Sequence, residues 1–483
     1  MPSDLTWRAI AFDARARKLE RRWKRLCALY LPHAQGESLW LYHYAKRPHR
    51  RTVGWKLHIS ATILNAPSVL NRIAPFLTER GVQFKAPRSL GEVLQLNSGL
   101  YYRYSQIGKI ITVYPANDDE AVGLAKGLHE LTRRFTGPSI PFDLRFNDSS
   151  NVYYRYGAFE HLEIEQNGHR THAVYAPNGD LVPDVREEPK PDWISDPFEP
   201  HRPISRKKKV IPFEPIRALR VLSQRGKGGV YEAIDLTGDV PRPCLLKEGR
   251  MNGEVTWDGR DGVWRIKNEA RVLARLSAAG VTVPAIRSSF ELGGNYYLVM
   301  EYLDGETLHS FLYRLRRRLP LVRVADYGLQ LAMFLSQMHR AGWVWRDCKP
   351  KNIIVTREGR LVPIDFEGAA RINQPDHLQW GTPGFTPPEW RDRKTLSSKT
   401  DDLFSLGAMI YLLLTGRIFE PHNPVAIDKL RRNIPVELRQ LTELLLSTKK
   451  SRRPSAAHAA QILNAISLKL STQPAGLVDV KAA

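Results

Sequence analysis

The chain has 483 residues, 42% of them hydrophobic and 25% charged, and its 72 lysines and arginines against 50 aspartates and glutamates give a formal charge of +22. That length exceeds one ordinary domain, and the apolar fraction suffices for two or three packed cores. Three dispersed cysteines, Cys27, Cys244 and Cys348, argue against a disulfide framework and a Cys/His zinc site, and no leader-like or bilayer-spanning apolar run is visible. A cytoplasmic protein with no membrane partner is expected. The basic excess by itself admits nucleic acid, anionic lipid or phosphate-bearing substrates.

In chain order, the sequence predicts a basic opening helix over 13–29, strands over 55–60, 110–114 and 152–156, and a helix over 119–135, which reads as an α+β region. The block 54–60 (GWKLHIS) alternates like a strand, so Lys56 and His58 share a face. Further cationic blocks follow: 84–85 (FK), 108–115 (GKIITVYP), 143–145 (DLR) and 152–159 (VYYRYGAF). Between 182 and 215 the composition turns to proline and charge with few aliphatics, predicting an extended connector along the surface, its basic run Arg206 to Lys209 solvated. From 216 to 470 strand-like runs give way to helices, including 326–341 and the nearly all-apolar 403–415, so a small β-rich lobe should precede a large helical one. The expected division is therefore 1–200, a Pro-rich basic linker 201–215, 216–470, and a tail 471–483.

The C-terminal part carries an ordered set of chemical signals. In the stretch 225–233 (RGKGGVYEA), Gly226, Gly228 and Gly229 would let backbone approach phosphates while Val230 caps a base. Lys247 in an apolar strand and Glu269 in a helical stretch suit a pair that holds the α- and β-phosphates, and Glu301 and Leu303 are assigned to nucleotide binding with them. In 346–352 (RDCKPKN), Asp347 would accept a substrate hydroxyl proton, Lys349 would lie near the transferring phosphoryl and Asn352 would bind metal; Asp365 in 365–368 (DFEG) supplies the second Mg²⁺ ligand. The segment 381–389 (GTPGFTPPE) matches the end of an activation segment, with Arg453 pairing Glu389 and Asp402 acting as a buried polar support.

These motifs resemble the eukaryotic-type protein kinase fold over nearly all of 216–470. Three departures are visible: Ser223 and Arg225 stand at the first two glycine positions of the phosphate loop, Trp345 replaces the His before Arg-Asp, and Glu367 replaces the Gly after Asp-Phe. None removes a phosphate- or metal-handling group. The combination of GGVY, LLKE, DFE and GTPGF resembles class III lanthipeptide synthetases, which phosphorylate Ser and Thr of a precursor peptide and carry a phosphoserine/phosphothreonine lyase before the kinase.

The N-terminal blocks are similar to that lyase domain. The resemblance implies Lys85 as the α-proton base, His58 as general acid, and Lys56, Lys109, Arg145 and Arg155 as a phosphate clamp, with Arg103 a competing candidate. It implies ATP or GTP and Mg²⁺ as cofactors, a precursor peptide with a leader as partner, and no nucleic acid. The family continues into a cyclase domain for which this chain has no room, so a separate cyclase is the expected partner for ring closure. The expected fold is an N-terminal phospholyase-like α+β domain followed by a bilobal protein-kinase-like domain, together a dehydratase. The alternatives are a regulatory Ser/Thr kinase with an N-terminal docking or sensor domain, and a catalytically dead basic scaffold.

Overall fold

The computed structural model describes residues 14–45, 51–160, 162–166, 168–201, 215–315, 317–374, 380–389 and 397–472. It divides into two compact units. The first comprises Met1–Arg242, Leu246–Trp264 and Phe290–Tyr297; the second comprises Pro243–Leu245, Arg265–Ser289 and Leu298–Ala483.

The first unit is built on a seven-stranded sheet. Its strands are β1 (His33–Ala34), β2 (Trp40–His43), β3 (Val53–Ile59), β4 (Gln83–Pro87), β5 (Ile111–Tyr114), β6 (Leu144–Arg145) and β7 (Val152–Ala158), in the order β1-β2-β4-β5-β3-β7-β6, every neighbouring pair antiparallel. Alternation decides the two faces. Trp55, Leu57 and Ile59 of β3 are buried in the core, with Phe84, Ala86, Ile111, Val113 and Tyr154 from neighbouring strands. Lys56 and His58 therefore point to the other face, as the alternation in 54–60 predicts.

Four helices contribute to that core: α1 (Ala14–Tyr30), α2 (Ala66–Glu79), α3 (Leu90–Ser98) and α4 (Asp118–Thr132). The highly basic α1 buries Trp23, Leu26 and Cys27, and the Trp23 indole N–H donates to the Pro87 carbonyl at 3.0 Å. Ser89 caps α3 by accepting the Glu92 N–H, and α3 ends on Gly99 in the left-handed region (φ 65°), which glycine adopts without strain. Asn117 caps α4, whose first turn holds Asp118, Asp119 and Glu120 against the positive end of the helix dipole. A three-stranded antiparallel sheet, β8 (Glu163–Gln166), β9 (His169–Tyr175) and β10 (Leu181–Pro183), follows.

The connector departs from its expected course along the surface. Val182 and Pro183 lie in β10, and Phe198 is fully buried, stacked on Tyr154 at 3.9 Å between ring centroids. Averaged over the segment the composition is too polar for a core, yet a single aromatic anchor contributes enough apolar area to bury itself. The basic run Arg206 to Lys209 and residues 473–483 lie outside the described residues.

The first unit also includes the hairpin of β11 (Ile216–Arg225) and β12 (Gly228–Asp235), closed by the pairing Arg225↔Gly228. Beyond β13 (Arg242–Gly249), Val255 and Trp257 are 6% and 4% exposed and belong to the same core as α1 to α4. Residues that the sequence assigns to the kinase-like part therefore complete the hydrophobic core of the N-terminal part.

Further along the chain come α5 (Gly262–Ala278), β14 (Ile286–Leu292), β15 (Asn295–Glu301), β16 (Gly305–Thr307), α6 (Leu308–Leu315), α7 (Leu321–Arg340), β17 (Trp343–Val344), β18 (Ile353–Thr356), β19 (Leu361–Pro363) and β20 (Ala370–Arg371). They are followed by α8 (Lys399–Thr415), α9 (Ile427–Leu430), α10 (Val436–Leu445) and α11 (Ala456–Ser471). In the second unit α7 packs on α8 and α11, and β16-β18-β19 form a small antiparallel sheet. The predicted apolar helix 403–415 is the body of α8, buried along nearly all its length between a Ser398 cap and Gly416. Among the described residues, no helix is long and apolar enough to cross a membrane.

Because Trp257 fills the N-terminal core, Trp257→Ala should destabilise the full chain by about 3–5 kcal/mol, as large aromatic truncations in cores do. Denaturant unfolding checks this. A loss under about 1 kcal/mol, the range of ordinary surface changes, would mean that the 250–262 segment only rests on the surface.

Candidate active site

The polar face of the seven-stranded sheet carries the first cluster. Register places Tyr42 (β2), Lys85 (β4), Thr112 (β5), His58 (β3), Tyr153 (β7) and Arg145 (β6) in one transverse row, and pairs Lys56 with Arg155 beside it. Lys85 and His58 are separated by a single strand, so their backbones stand roughly 10 Å apart.

Above this face lies a cavity of about 350 Å³ lined by Trp40, Tyr42, Lys56, His58, Lys85, Gln106, Lys109, Thr112, Tyr114, Arg155, His172 and Arg186. Of the cations that the sequence proposes, Lys56, Lys85, Lys109 and Arg155 are in this wall. Arg145 and Arg103 are not among the lining residues; the Arg145 guanidinium donates to the Asp148 carbonyl at 2.9 Å and lies over the Tyr153 ring. The connector supplies Arg186, which sequence reasoning did not single out.

Two carboxylates organise the cluster. Asp143 is fully buried, its oxygens 2.6 Å from His58 Nδ1 and 2.8 Å from Lys109 Nζ. Burial opposes its ionisation, yet the Lys109 ammonium and His58 together hold the carboxyl well below the usual range. Asp184 accepts from Arg155 Nη2 at 2.7 Å, and that guanidinium also donates to the carbonyls of Val185 and Glu188. Asp143 sits in the quoted block 143–145, where a lone acid among cations is the signal that could have marked it.

Burial is also the largest influence on the bases. It brings Lys85 down to about 8, assisted by the nearby Arg186, although the Trp40 ring lies 4.5 Å beneath the ammonium and favours its charged form. Lys56 is held well below the ordinary lysine value by burial and by Lys85 and Arg155, and Lys109 is lowered by burial despite Asp143. His58 falls to about 3, burial outweighing Asp143. It is therefore neutral in the open pocket, and since the ionised Asp143 can only accept, the proton resides on Nδ1 and leaves Nε2 without one. The arrangement offers an amine partly unprotonated near neutral pH, a carboxylate-oriented imidazole, and several cations suited to a phosphate dianion.

In the second unit the predicted catalytic loop closes on itself. Asp347 accepts from Lys349 Nζ at 2.7 Å, from Asn352 Nδ2 at 2.9 Å and from the Thr382 hydroxyl at 3.0 Å, the last joining the 381–389 segment to the loop. With its amide nitrogen turned to Asp347, Asn352 keeps its side-chain oxygen for a hard cation. The Ile364 N–H donates to the Asn352 carbonyl at 2.8 Å and so sets Asp365 next in line. Two oxygen donors, an amide and a carboxylate, are what Mg²⁺ takes from a protein when phosphates complete its shell.

Asp402, fully buried, holds the loop from behind, accepting from the Trp345 and Arg346 N–H groups at 2.9 and 2.7 Å and lying 2.9 Å from His339 Nε2. Trp345 stacks on Phe366 and its indole donates to the Asp365 carbonyl, so the departure from histidine is absorbed as packing. Glu367 lies 3.7 Å from Arg265, Glu269 accepts the Phe366 N–H at 3.0 Å, and Arg453 pairs with Glu389 at 2.7 Å as predicted. Lys247 is buried in β13 in the first unit, with Val230 in β12. Gly228 has φ 149° and a Cβ there would stand 1.7 Å from the Glu248 carbonyl oxygen, so the loop needs glycine at that point. Glu301 ends β15, its N–H and carboxylate both bonded to Ala285, and Leu303 follows in the connection to β16.

Comparison with known proteins matches residues 25–210 to the RamC N-terminal domain and residues 254–464 to the protein kinase domain. The chain is 32% identical over 382 residues to the probable SapB synthase of Streptomyces coelicolor, a match covering 75% of this chain and 40% of that protein. A probable serine/threonine-protein kinase of the same organism is 34% identical over 43% of this chain and 31% of its own, and the serine/threonine-protein kinase pkn2 of Myxococcus xanthus is 32% identical over 54% and 33%. The chain thus spans well under half the length of these relatives. It carries a RamC N-terminal domain followed by a protein kinase domain.

Proposed function

We propose that this protein dehydrates Ser and Thr of a ribosomally made precursor peptide in two steps, phosphorylation by the kinase domain and elimination of phosphate in the N-terminal cavity. The observation that carries the reading is the face on which Lys85 and His58 flank Thr112 while buried Lys109 and Arg155 and partly buried Lys56 and Arg186 line the cavity around them. Such a cluster is costly to bury and is matched by a phosphate dianion.

In the first step Asp347 accepts the proton of the substrate hydroxyl as its oxygen attacks the γ-phosphorus of a nucleoside triphosphate, and the diphosphate leaves. Lys349 faces the transferred group, and Asn352 and Asp365 would hold Mg²⁺, which when bound would neutralise charge on the phosphates. In the second step the neutral Lys85 amine takes the Cα proton. The C–H electrons form the Cα=Cβ bond, the Cβ–O bond breaks, and phosphate leaves among the cations. The His58 imidazole is neutral in the open pocket, but a dianion beside it favours its protonated form, so Nε2 can then deliver a proton to the departing oxygen. Asp143 keeps the imidazole oriented throughout. The product is dehydroalanine or dehydrobutyrine.

Incubating the protein with a Ser/Thr-rich precursor peptide, Mg²⁺ and ATP or GTP should reduce the peptide mass by one water per modified residue. Lys247→Ala and Asp365→Asn should abolish this change yet leave elimination from a synthetic phosphopeptide intact. Accumulation of phosphopeptide with wild-type protein would instead favour a kinase with a docking domain.

Since Lys85 must be unprotonated and its value lies at about 8, elimination from a phosphoserine peptide should rise with pH through about 8 and level off above, where an ordinary lysine would still be rising. Lys85→Ala should lower the single-turnover rate roughly 10²- to 10⁴-fold, the usual contribution of a general base. A flat profile, or an unchanged rate in the variant, would remove Lys85 from the mechanism.

A further inference from the structure

The tip of the β11–β12 hairpin rests on the end of α3. Gly226 N–H donates to the Ser98 carbonyl at 2.9 Å, and a Cβ on Gly226 would stand 1.7 Å from the Asn97 carbonyl oxygen, so the approach is open to glycine alone. Asn97 is 3% exposed and its side chain is bonded at both ends: Nδ2 donates to the Ala61 carbonyl at 3.1 Å, and Oδ1 accepts the Gly108 N–H at 3.1 Å. Ala61 follows the strand that bears Lys56 and His58, and Gly108 precedes Lys109. One residue therefore ties together the two backbone segments carrying three of the pocket's ionisable groups, and its own main chain is the seat of the hairpin tip.

A second contact runs parallel to the first. The Arg250 N–H donates to the Lys227 carbonyl at 2.9 Å and its guanidinium to the Arg225 carbonyl at 3.3 Å, while the same guanidinium lies 5.0 Å from the centroid of the Tyr104 ring. Tyr104 packs edge-on against Phe142 at 5.9 Å, and Phe142 precedes Asp143, which holds His58 and Lys109.

A backbone N–H is one donor. Kinase glycine-rich loops cover the nucleotide phosphates, and glycine-rich phosphate loops bind through such N–H groups. We propose that the glycine-rich loop and the cation pocket are negatively coupled. The Gly226 N–H goes either to Ser98, with the end of α3 and the pocket as seen here, or to a nucleotide phosphate, with the end of α3 released and the pocket loosened. A nucleotide on the loop then weakens phosphate binding in the pocket, and a phosphate ligand in the pocket weakens nucleotide binding by the same factor. This regulation rests on the lyase reading of the pocket.

The test uses the full-length protein, a phosphoserine peptide, and a non-hydrolysable ATP analogue with Mg²⁺. Peptide affinity and single-turnover elimination are measured across analogue concentrations. The expected result is a weakening of roughly fivefold or more that reaches a plateau, with the reciprocal factor on analogue affinity. In Gly226→Ala, whose methyl group cannot fit against Asn97, and in Arg250→Ala, which keeps the hairpin backbone unaltered, the factor should fall towards one. Affinity and elimination independent of the analogue would overturn the coupling and leave the lyase reading standing. A weakening without plateau would also overturn it, since that is direct competition for the cavity. A phosphopeptide left unconverted under every condition would overturn the lyase reading and the coupling with it.

Discussion

Burying positive charge is the constraint around which the N-terminal domain is arranged. Lys56, Lys85, Lys109, Arg155 and Arg186 line one cavity, and two carboxylates, Asp143 and Asp184, lie within ion-pair distance of Lys109 and Arg155. With every cation charged the balance is five positive against two negative, a net of about three. With the two most shiftable lysines neutral it is about one. Desolvation pushes towards the lower figure and lowers the lysines. A dianion entering the cavity falls between the two limits, so a phosphate ester is the kind of ligand that relieves the strain, and a neutral peptide is not. The same bookkeeping explains why Asp143 is fully buried: without it His58 and Lys109 would face only like charges.

Much of this was legible because strands impose a period of two. Once 54–60 reads as a strand, Lys56 and His58 must share a face, and the structure adds that their neighbours across the sheet are Arg155 and Tyr153. In the kinase part the motifs are contiguous, so Asp347, Lys349 and Asn352 are near one another for covalent reasons, and the loop geometry follows. Arg186 was not legible, because it reaches the cavity from a segment whose composition reads as linker. The burial of Phe198 was hidden from composition for the same reason, since an average over a mostly polar segment conceals the few residues that anchor. Arg145 shows the opposite error. It stands in register at the end of the row, but β6 is an edge strand two residues long, and its guanidinium turns to the Asp148 carbonyl. Register alone does not tell where a long side chain ends.

The sharing of Val255 and Trp257 with the N-terminal core has a further consequence. A boundary drawn where composition changes would separate these side chains from Trp55 and Leu57, with which they share a core. Buried aromatic area holds elements together whatever their place in the motif order, so the segment after β13 is structurally part of the first unit while its sequence neighbours carry nucleotide-handling residues. The side chains of that segment are thereby a condition of the first unit's own packing.

The chemistry gives this union a reason on the proposed reading. Hydroxide is a poor leaving group and phosphate a good one, so the phosphate added in the first step is useful only if it is lost in the second. A pocket that strongly binds phosphate esters also has the means to bind the phosphates of a nucleotide, which is present in excess over any peptide. Selectivity must then come from something a nucleotide cannot satisfy. On that reading Lys85 and His58, with Thr112 between them, would address a Cα proton and a bridging oxygen on adjacent carbons, and a nucleotide offers no carbonyl-acidified proton beside its phosphate; Trp40, Tyr42 and Tyr114 stand in the wall around them. Burial within that wall also holds Lys85 below the ordinary lysine range, so the group that would select the substrate on this reading is the one that the pocket itself tunes.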